Sequence, residues 1–255
     1  NLACVGAEPL GVTNCLNFGN PEKPTVAWQL SESIRGLGDA CRALDLPVVG
    51  GNVSLYNETP SGPIYPTPVV GMVGELPDPA RCAGEPWREG DSIALVGPFN
   101  PSLAGSELEK QRGELGPGLP AIEIPPIRAA IELIRDSVRS GALRTVHDVA
   151  DGGIATALAE MAISADLGCR TSLTPVMAQH SCSEVDALFG EGPGGFIVAG
   201  DEAAIEHLGG HGVEVEILGR VTGDLIDLSA GDQQARILLA EARASFESLA
   251  SRLDP

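Results

Sequence analysis

From Gln29 to Leu44 the apolar residues Leu30, Ile34, Leu37, Cys41 and Leu44 recur at alternating steps of four and three, which predicts one amphipathic helix. Ile127, Ile131, Ile134 and Val138 repeat that spacing behind Pro125-Pro126, and Gly141 ends the helix. Ile154, Leu158 and Met161 make a shorter stripe behind Gly152-Gly153, and Leu238, Ala242, Phe246 and Leu249 mark a last helix. β-Branched runs predict strands at Val48-Val49, Val69 to Val73, Ile93 to Val96, Phe196 to Val198 and Val213 to Ile217. Strands and helices interleave, so the class is mixed α and β.

The stretch from Glu75 to Gly90 holds three prolines and two glycines between apolar segments, which suits a linker between two domains. A second Gly/Pro-rich stretch, Gly113 to Pro126, reads as a long loop inside the second domain.

Charge narrows the possible ligands. The 255 residues carry 16 basic and 35 acidic side chains, a formal net charge of −19. That balance argues against a nucleic-acid partner, whose backbone is held by clustered Lys and Arg. It leaves room for a phosphorylated small ligand, because backbone N–H groups and Mg²⁺ hold phosphate in acidic proteins. With 43% hydrophobic residues the chain is too apolar for a disordered acidic tail. No apolar run is long enough to span a membrane. Asn1 stands where an initiator Met is absent, which suggests a fragment or a processed product. Six scattered cysteines without a C-x-x-C pair read as reduced, mostly buried thiols of a cytoplasmic protein, and the four histidines lack zinc-ligand spacing to them.

Four segments could carry chemistry. Pro47 to Ser54 runs from a short β stretch into Gly50-Gly51, Asn52 and Ser54. The glycines let a backbone approach phosphate, an Asn oxygen suits Mg²⁺, and a Ser hydroxyl can donate to a substrate oxygen. Gly-Gly-Asn is also ordinary turn chemistry, and on this segment alone the turn is the better-supported reading. Val12 to Pro21 crowds Asn14, Asn17 and Asn20 around Leu16 and Phe18, where structural and binding roles are evenly matched. Cys15 there reads as packing, since no neighbouring cation would activate it. In Thr145 to Gly153, a strand-to-helix junction, Asp151 is expected to cap the helix and Asp148 is left open. The Gly-rich turn from Phe189 to Phe196 contains a lone Glu191 with no evident role.

Together these strings resemble a known family. Ala7 to Leu10, Val12 to Pro21, Gly51 to Glu58 and Ile64 to Pro68 look like the synthetase component of phosphoribosylformylglycinamidine synthase, in its short form. His147 to Gly153 resembles a signature of the wider superfamily that includes aminoimidazole ribonucleotide synthetase. That family is a tandem duplication, and this chain is similar to its second half without the opening strands. The resemblance implies an α+β fold. A partial, barrel-forming ATP-site domain spans 1–76, N-terminally incomplete, and an α/β lobe spans 77–255. It also implies an ATP-dependent amidation of formylglycinamide ribonucleotide, in which ATP activates the formamide oxygen and ammonia displaces phosphate. ATP and Mg²⁺ are the implied cofactors. The implied partners are a glutaminase subunit that supplies ammonia, a small bridging subunit, and the first half of the same synthetase.

Matched position by position, Gly51 stands where the family contacts ATP, Asn52 where it binds Mg²⁺, and Ser54 where it touches substrate. Asn14 replaces an Asp that contacts ATP in many members, so an amide would take up that contact. Glu191-Gly192-Pro193 replaces a substrate-binding Glu-Ser-Gln of the first half, which implies a degenerate counterpart here. The family's catalytic histidine has no match among His147, His180, His207 and His211. No catalytic residue is therefore assigned, and the piece alone is expected not to turn over. The alternatives are a non-catalytic structural half-module of that enzyme and a related ATP enzyme of the aminoimidazole ribonucleotide synthetase type.

Overall fold

The computed structural model of the chain describes residues 1–113, 116 and 118–253, with side chains described through residue 249. The chain divides into two compact units, one of Leu2 and Ala7–Pro77, the other of Asn1, Ala3–Gly6 and Asp78–Pro255.

The first unit is built on β1 (Glu8–Asn17), α1 (Pro24–Ala43), β2 (Val48–Ser54), a two-residue hairpin of β3 (Glu58–Thr59) and β4 (Gly62–Pro63), and β5 (Thr67–Glu75). Its sheet runs β2-β1-β5, with β1 parallel to β2 and antiparallel to β5. The helix starts earlier than the stripe from Gln29 suggests, because Pro24 at its first turn needs no N–H partner. Val26 and Cys41 are buried against β1 residues, whereas Ile34 is 49% exposed and lies off the stripe. Phe18 and Val12 are each 1% exposed. Burial of side chains this size contributes about 1.5–3 kcal/mol apiece. Most of β2 and β5 faces solvent, with Val49, Val53, Val69 and Val73 all more than half exposed. The sheet is open, in keeping with the partial barrel expected from the sequence.

The second unit continues with β6 (Ser92–Val96), α2 (Glu107–Arg112), α3 (Ile124–Ser140), β7 (Thr145–Asp148), α4 (Gly153–Ala165), β8 (Cys169–Ser172), α5 (Thr174–His180), α6 (Glu184–Phe189), β9 (Phe196–Gly200), α7 (Glu202–Leu208), β10 (Val215–Val221), β11 (Leu225–Ala230), β12 (Gln233–Leu238) and α8 (Leu239–Leu253). Seven strands order as β12-β11-β8-β10-β6-β9-β7. One face packs Ile93, Leu95, Ile197 and Leu228 with Ile154 and Leu158 of α4, Val176 of α5 and Leu188 of α6. The other packs Ala94, Val96, Phe196 and Val198 with Ile134 and Val138 of α3 and Ile205 of α7. Pro125 and Pro126 sit in the first turn of α3, and Gly141 closes it at φ 80°, a left-handed value that favours glycine. Of the stretch Gly113 to Pro126, residues 114, 115 and 117 lie outside the described residues, and the helix begins before its prolines.

Two features of this unit differ from the sequence reading. Phe246 and Leu249 of α8 are 60% and 63% exposed, while Ala242 is buried, so the last helix buries a narrower face than its stripe implied. Strands β8, β11 and β12, which the β-branched runs did not predict, carry charged residues. Asp227 of β11 stands between its cross-strand neighbours Arg170 of β8 and Arg236 of β12 and pairs with both.

Candidate functional site

The four candidate residues all lie on the parallel pair β1 and β2. The register sets Asn14 opposite Gly51, Cys15 opposite Asn52, and Asn17 opposite Ser54. Segments separate in sequence thus become neighbours one strand spacing apart. The chains leaving the two strands stay joined: Phe18 N–H donates to Ser54 O at 3.0 Å, Tyr56 N–H to Gly19 O at 3.0 Å, and Asn57 N–H to Phe18 O at 3.1 Å.

Strand periodicity divides the four between two faces. Val12 and Leu16 face α1, so Asn14 lies on that side together with Gly51. Cys15, Asn17, Asn52 and Ser54 fall on the opposite side. The absence of a side chain at Gly51 has a local cause, since a Cβ there would stand 2.4 Å from the Asn14 carbonyl oxygen and 2.7 Å from its Oδ1. Gly50 has no such neighbour within 4 Å. Because β2 is the edge of its sheet, its outward backbone groups have no strand partner among the described residues. A ligand at that edge can reach side chains from both faces.

On the open face the polar side chains are ordered by hydrogen bonds. Asn57 Nδ2 donates to Phe18 O at 3.1 Å, Ser54 O at 2.9 Å and Ser54 Oγ at 3.1 Å. Asn52 is exposed, and its Nδ2 donates to Cys15 Sγ at 3.6 Å. Lys23 Nζ lies 2.6 Å from Glu58 Oε1 and holds that carboxyl below its usual range. Asn52 offers one amide oxygen, and among the described residues no group of three or more His, Cys, Asp or Glu is placed to hold a metal ion. This donor set fits Mg²⁺ only where phosphate oxygens and water complete its shell, the usual arrangement for that ion.

The strand-to-helix junction in the second unit departs from expectation. The residue capping α4 is Gly152 at φ 82°, with no side-chain cap from Asp151. The carboxylate serving this turn comes instead from Glu191, whose Oε1 accepts from Gly152 N–H at 2.8 Å and from Glu107 N–H at 2.9 Å. Sequence inspection missed this role, because Glu191 is 39 residues from Gly152. His147 Nε2 faces Glu160 Oε2 at 3.1 Å, and its Nδ1 meets the Asp148 carbonyl oxygen at 2.6 Å. A concavity of about 800 Å³ between α3 and α7 contains none of the four candidates.

Comparison with known proteins places both units. Residues 1–76 match the family described as AIR synthase related protein, N-terminal domain, and residues 88–227 match its C-terminal domain. Phosphoribosylformylglycinamidine synthase subunit PurL of Moorella thermoacetica is 51% identical over 175 residues, 68% of this chain and 24% of that protein. The subunit of the same name from a Nostoc species is 40% identical over 270 residues, 99% of this chain and 34% of that protein. The chain thus spans between a quarter and a third of the length of these relatives. Among solved structures, Thermotoga maritima PurL complexed with FGAR superposes with a TM-score of 0.73 at 14% identity, over 95% of this chain and 40% of that one. The same protein complexed with ATP gives 0.68 at 16%, over 94% and 38%. The structure of PurLQS from that organism gives 0.67 at 16%, over 93% and 38%. At such identities the superpositions establish the fold.

Proposed function

Since this chain belongs to the AIR synthase related family, we propose that it is part of the ATP-dependent C–N ligase that amidates formylglycinamide ribonucleotide to formylglycinamidine ribonucleotide in purine biosynthesis. The name shared by relatives at 40% and 51% identity supports this reading, as do the FGAR and ATP complexes of a protein with the same fold. The observation that carries it is the β1–β2 register, which sets Asn14 of the central strand beside Gly51, Asn52 and Ser54 of the edge strand.

In this reading ATP lies along the edge of β2. Gly51, bare of a side chain, lets the nucleotide approach the backbone, and the Asn14 amide hydrogen-bonds it from the α1 side. Asn52 Oδ1 would hold Mg²⁺, which would neutralise phosphate charge there. Ser54 Oγ, steadied by Asn57, donates to a substrate oxygen. The formamide oxygen attacks the γ-phosphorus of ATP and ADP leaves; ammonia then adds to the activated carbon, and phosphate departs. Ammonia is supplied by a glutaminase subunit joined through a small bridging subunit, and the first half of the synthetase contributes the remaining catalytic groups. The enzyme works in the cytoplasm; among the described residues no helix is long and apolar enough to cross a membrane.

The testing experiment replaces Asn52 with Leu in the complete synthetase, keeping bulk and removing the oxygen. Thermal stability and the Mg²⁺ dependence of ATP turnover are measured on the same protein. A raised Mg²⁺ requirement at unchanged stability is expected. Lowered stability with unchanged Mg²⁺ dependence would remove Asn52 from the site and leave it a turn residue.

A further inference from the structure

One lateral row of side chains crosses five strands of the large sheet. The registers set Arg236 of β12 opposite Asp227 of β11, Asp227 opposite Arg170 of β8, Arg170 opposite Arg220 of β10, and Arg220 opposite Ser92 of β6. Paired residues share a face, and Ala94 and Val96, in steps of two from Ser92, pack on that face with α3 and α7. Cys169, Ile226 and Leu228, which alternate with the row in β8 and β11, point into the core on the other side. Beyond the helices the face is polar, and the Arg170 side chain is 75% exposed although β8 is the third strand of seven.

The hydrogen bonds of the row are unevenly shared. Arg236 Nε and Gln234 Nε2 donate to Asp227 Oδ1 at 3.2 and 2.7 Å. Arg170 reaches the same carboxylate only as an ionic contact, Nε to Oδ2 at 3.5 Å, and donates no hydrogen bond to any described residue. Arg220 pairs with Glu202, which also accepts from Ser92 Oγ at 2.8 Å. Asp227 and Glu202 thus lie on the outer flanks, while Arg170 and Arg220 face each other directly, with Cβ atoms about 5 Å apart in such a pair. Like charges so placed repel. Three arginines beside two carboxylates leave one surplus positive charge in a chain whose net charge is −19.

We propose that this face is a docking surface for an acidic segment of another protein, which seats a carboxylate between Arg170 and Arg220. One such carboxylate balances the row and takes up the unused N–H groups of Arg170, whose planar fork matches its two oxygens. At physiological ionic strength charges beyond about 8 Å are screened, so the local excess rather than the total charge sets the attraction. From Arg236 to Arg220 the row crosses three strand spacings, about 14 Å, which about four extended residues cover. On an open sheet face a small free acid stays mostly in water, whereas a chain laid across the strands shields the pair. Two copies of this chain meeting here about a two-fold axis would set one arginine row against another.

The test titrates the complete synthetase with fluorescein-labelled hexaglutamate and reads fluorescence anisotropy, with labelled hexaglutamine as the neutral control. Wild type should bind hexaglutamate, more weakly as salt rises, and should not bind hexaglutamine. Arg170→Gln should weaken binding about tenfold, the scale of one hydrogen bond between charged groups. Arg42→Gln, at an equally exposed arginine of α1, should leave it unchanged. Arg170→Gln should melt at the wild-type temperature, which separates lost binding from lost folding. No binding by wild type, or equal affinity in wild type and Arg170→Gln, overturns the proposal. Displacement of hexaglutamate by equimolar inorganic phosphate would assign the surface to a free anion. Self-association in sedimentation, lost in Arg170→Gln, would assign it to a second copy. Either result overturns the acidic protein partner. Should Arg170→Gln melt lower, Arg170→Lys keeps the charge beside Asp227 and removes only the fork; wild-type affinity in that variant would refute a fork-seated carboxylate.

Discussion

The backbone N–H of Gly152 donates to Glu191 Oε1 across 2.8 Å, so a carboxylate on the turn before β9 serves the start of α4. The same oxygen accepts from Glu107 at the start of α2, and one side chain thereby ties down two helix beginnings. Hydrogen bonds to a charged group are worth about 1.5–3 kcal/mol each, and a buried N–H left without a partner costs a similar amount. Glu191→Ala should lower stability by about 2–3 kcal/mol, and Glu191→Gln, which keeps an acceptor oxygen, by about 1 kcal/mol. Urea unfolding of the two variants beside wild type measures both. A loss no larger for Ala than for Gln would contradict this role.

Gly50 and Gly51 form a matched pair for separating backbone sterics from ligand contact. A methyl group at Gly51 would meet the Asn14 carbonyl oxygen at 2.4 Å, while one at Gly50 meets nothing within 4 Å. Gly51→Ala should therefore cost about 1–3 kcal/mol even without nucleotide, as overpacking against fixed backbone does. Gly50→Ala should stay within about 0.5 kcal/mol of wild type. Thermal melts without nucleotide distinguish the two, and equal stabilities would show that β1 and β2 separate easily.

Asp227 is 5% exposed, and hydrogen bonding from Arg236, helped by Gln234 and by the charges of Arg236 and Arg170, lowers its pKa below the ordinary value of 3.8. A folded-state pKa below the unfolded one adds stability that is complete above the unfolded value and is lost as pH falls through the folded one. Acid should therefore remove this contribution below pH 3.8. Asp227→Asn should be less stable at pH 7 and show a flatter acid limb. Urea midpoints collected from neutral to strongly acidic pH would reveal it, and parallel curves for the two proteins would count against the pairing.

Burial pushes the Cys4 thiol up to about 11 and the Cys169 thiol up to about 12. Since the thiolate is the nucleophile, at pH 8 only about one Cys4 side chain in a thousand is reactive, and fewer at Cys169. Cys82 is exposed and unpaired with any other cysteine. Iodoacetamide at pH 8, followed by peptide mass spectrometry, should label Cys82 early and spare Cys4 and Cys169 until the protein unfolds. Early label on Cys169 would mean that the core around β8 opens readily.

What could be foreseen from the chain follows from how local each interaction is. The stripes of α3 and α4 were readable because their own residues fill the core on both sides of the large sheet. Strand β1 was not recognised as a strand, although it is the middle of its sheet. Its alternation is broken by Asn14 and Asn17, and Asn17 finds a partner in the Thr67 carbonyl of β5, fifty residues away. Strands β8, β11 and β12 were missed for a related reason. Arg170, Asp227 and Arg236 look unsuited to a sheet until the register sets them side by side. Asp151 was expected to cap α4 from its neighbouring position, but the left-handed turn at Gly152 left that task to Glu191. Of the polar site, the string Gly51 to Ser54 was visible. The contacts that Asn17 makes to Thr67 on β5 and Asn52 makes to Cys15 on β1 were not, because they join separate strands.

The exposed valines of β2 and β5 also have a calorimetric consequence. The heat-capacity rise on unfolding tracks newly hydrated apolar area, and a residue already wet in the folded state adds little to it. With Val49 at 73%, Val53 at 57%, Val69 at 54% and Val73 at 65% exposure, the first unit has already hydrated much of the surface that a sheet usually hides. Per residue, it should unfold with a smaller heat-capacity increment and a shallower denaturant slope than the second unit, whose β6 and β9 are buried along their whole length. Its stability then varies less steeply with temperature. The strands that hold the candidate site thus gain little from warming toward physiological temperature and lose little on cooling.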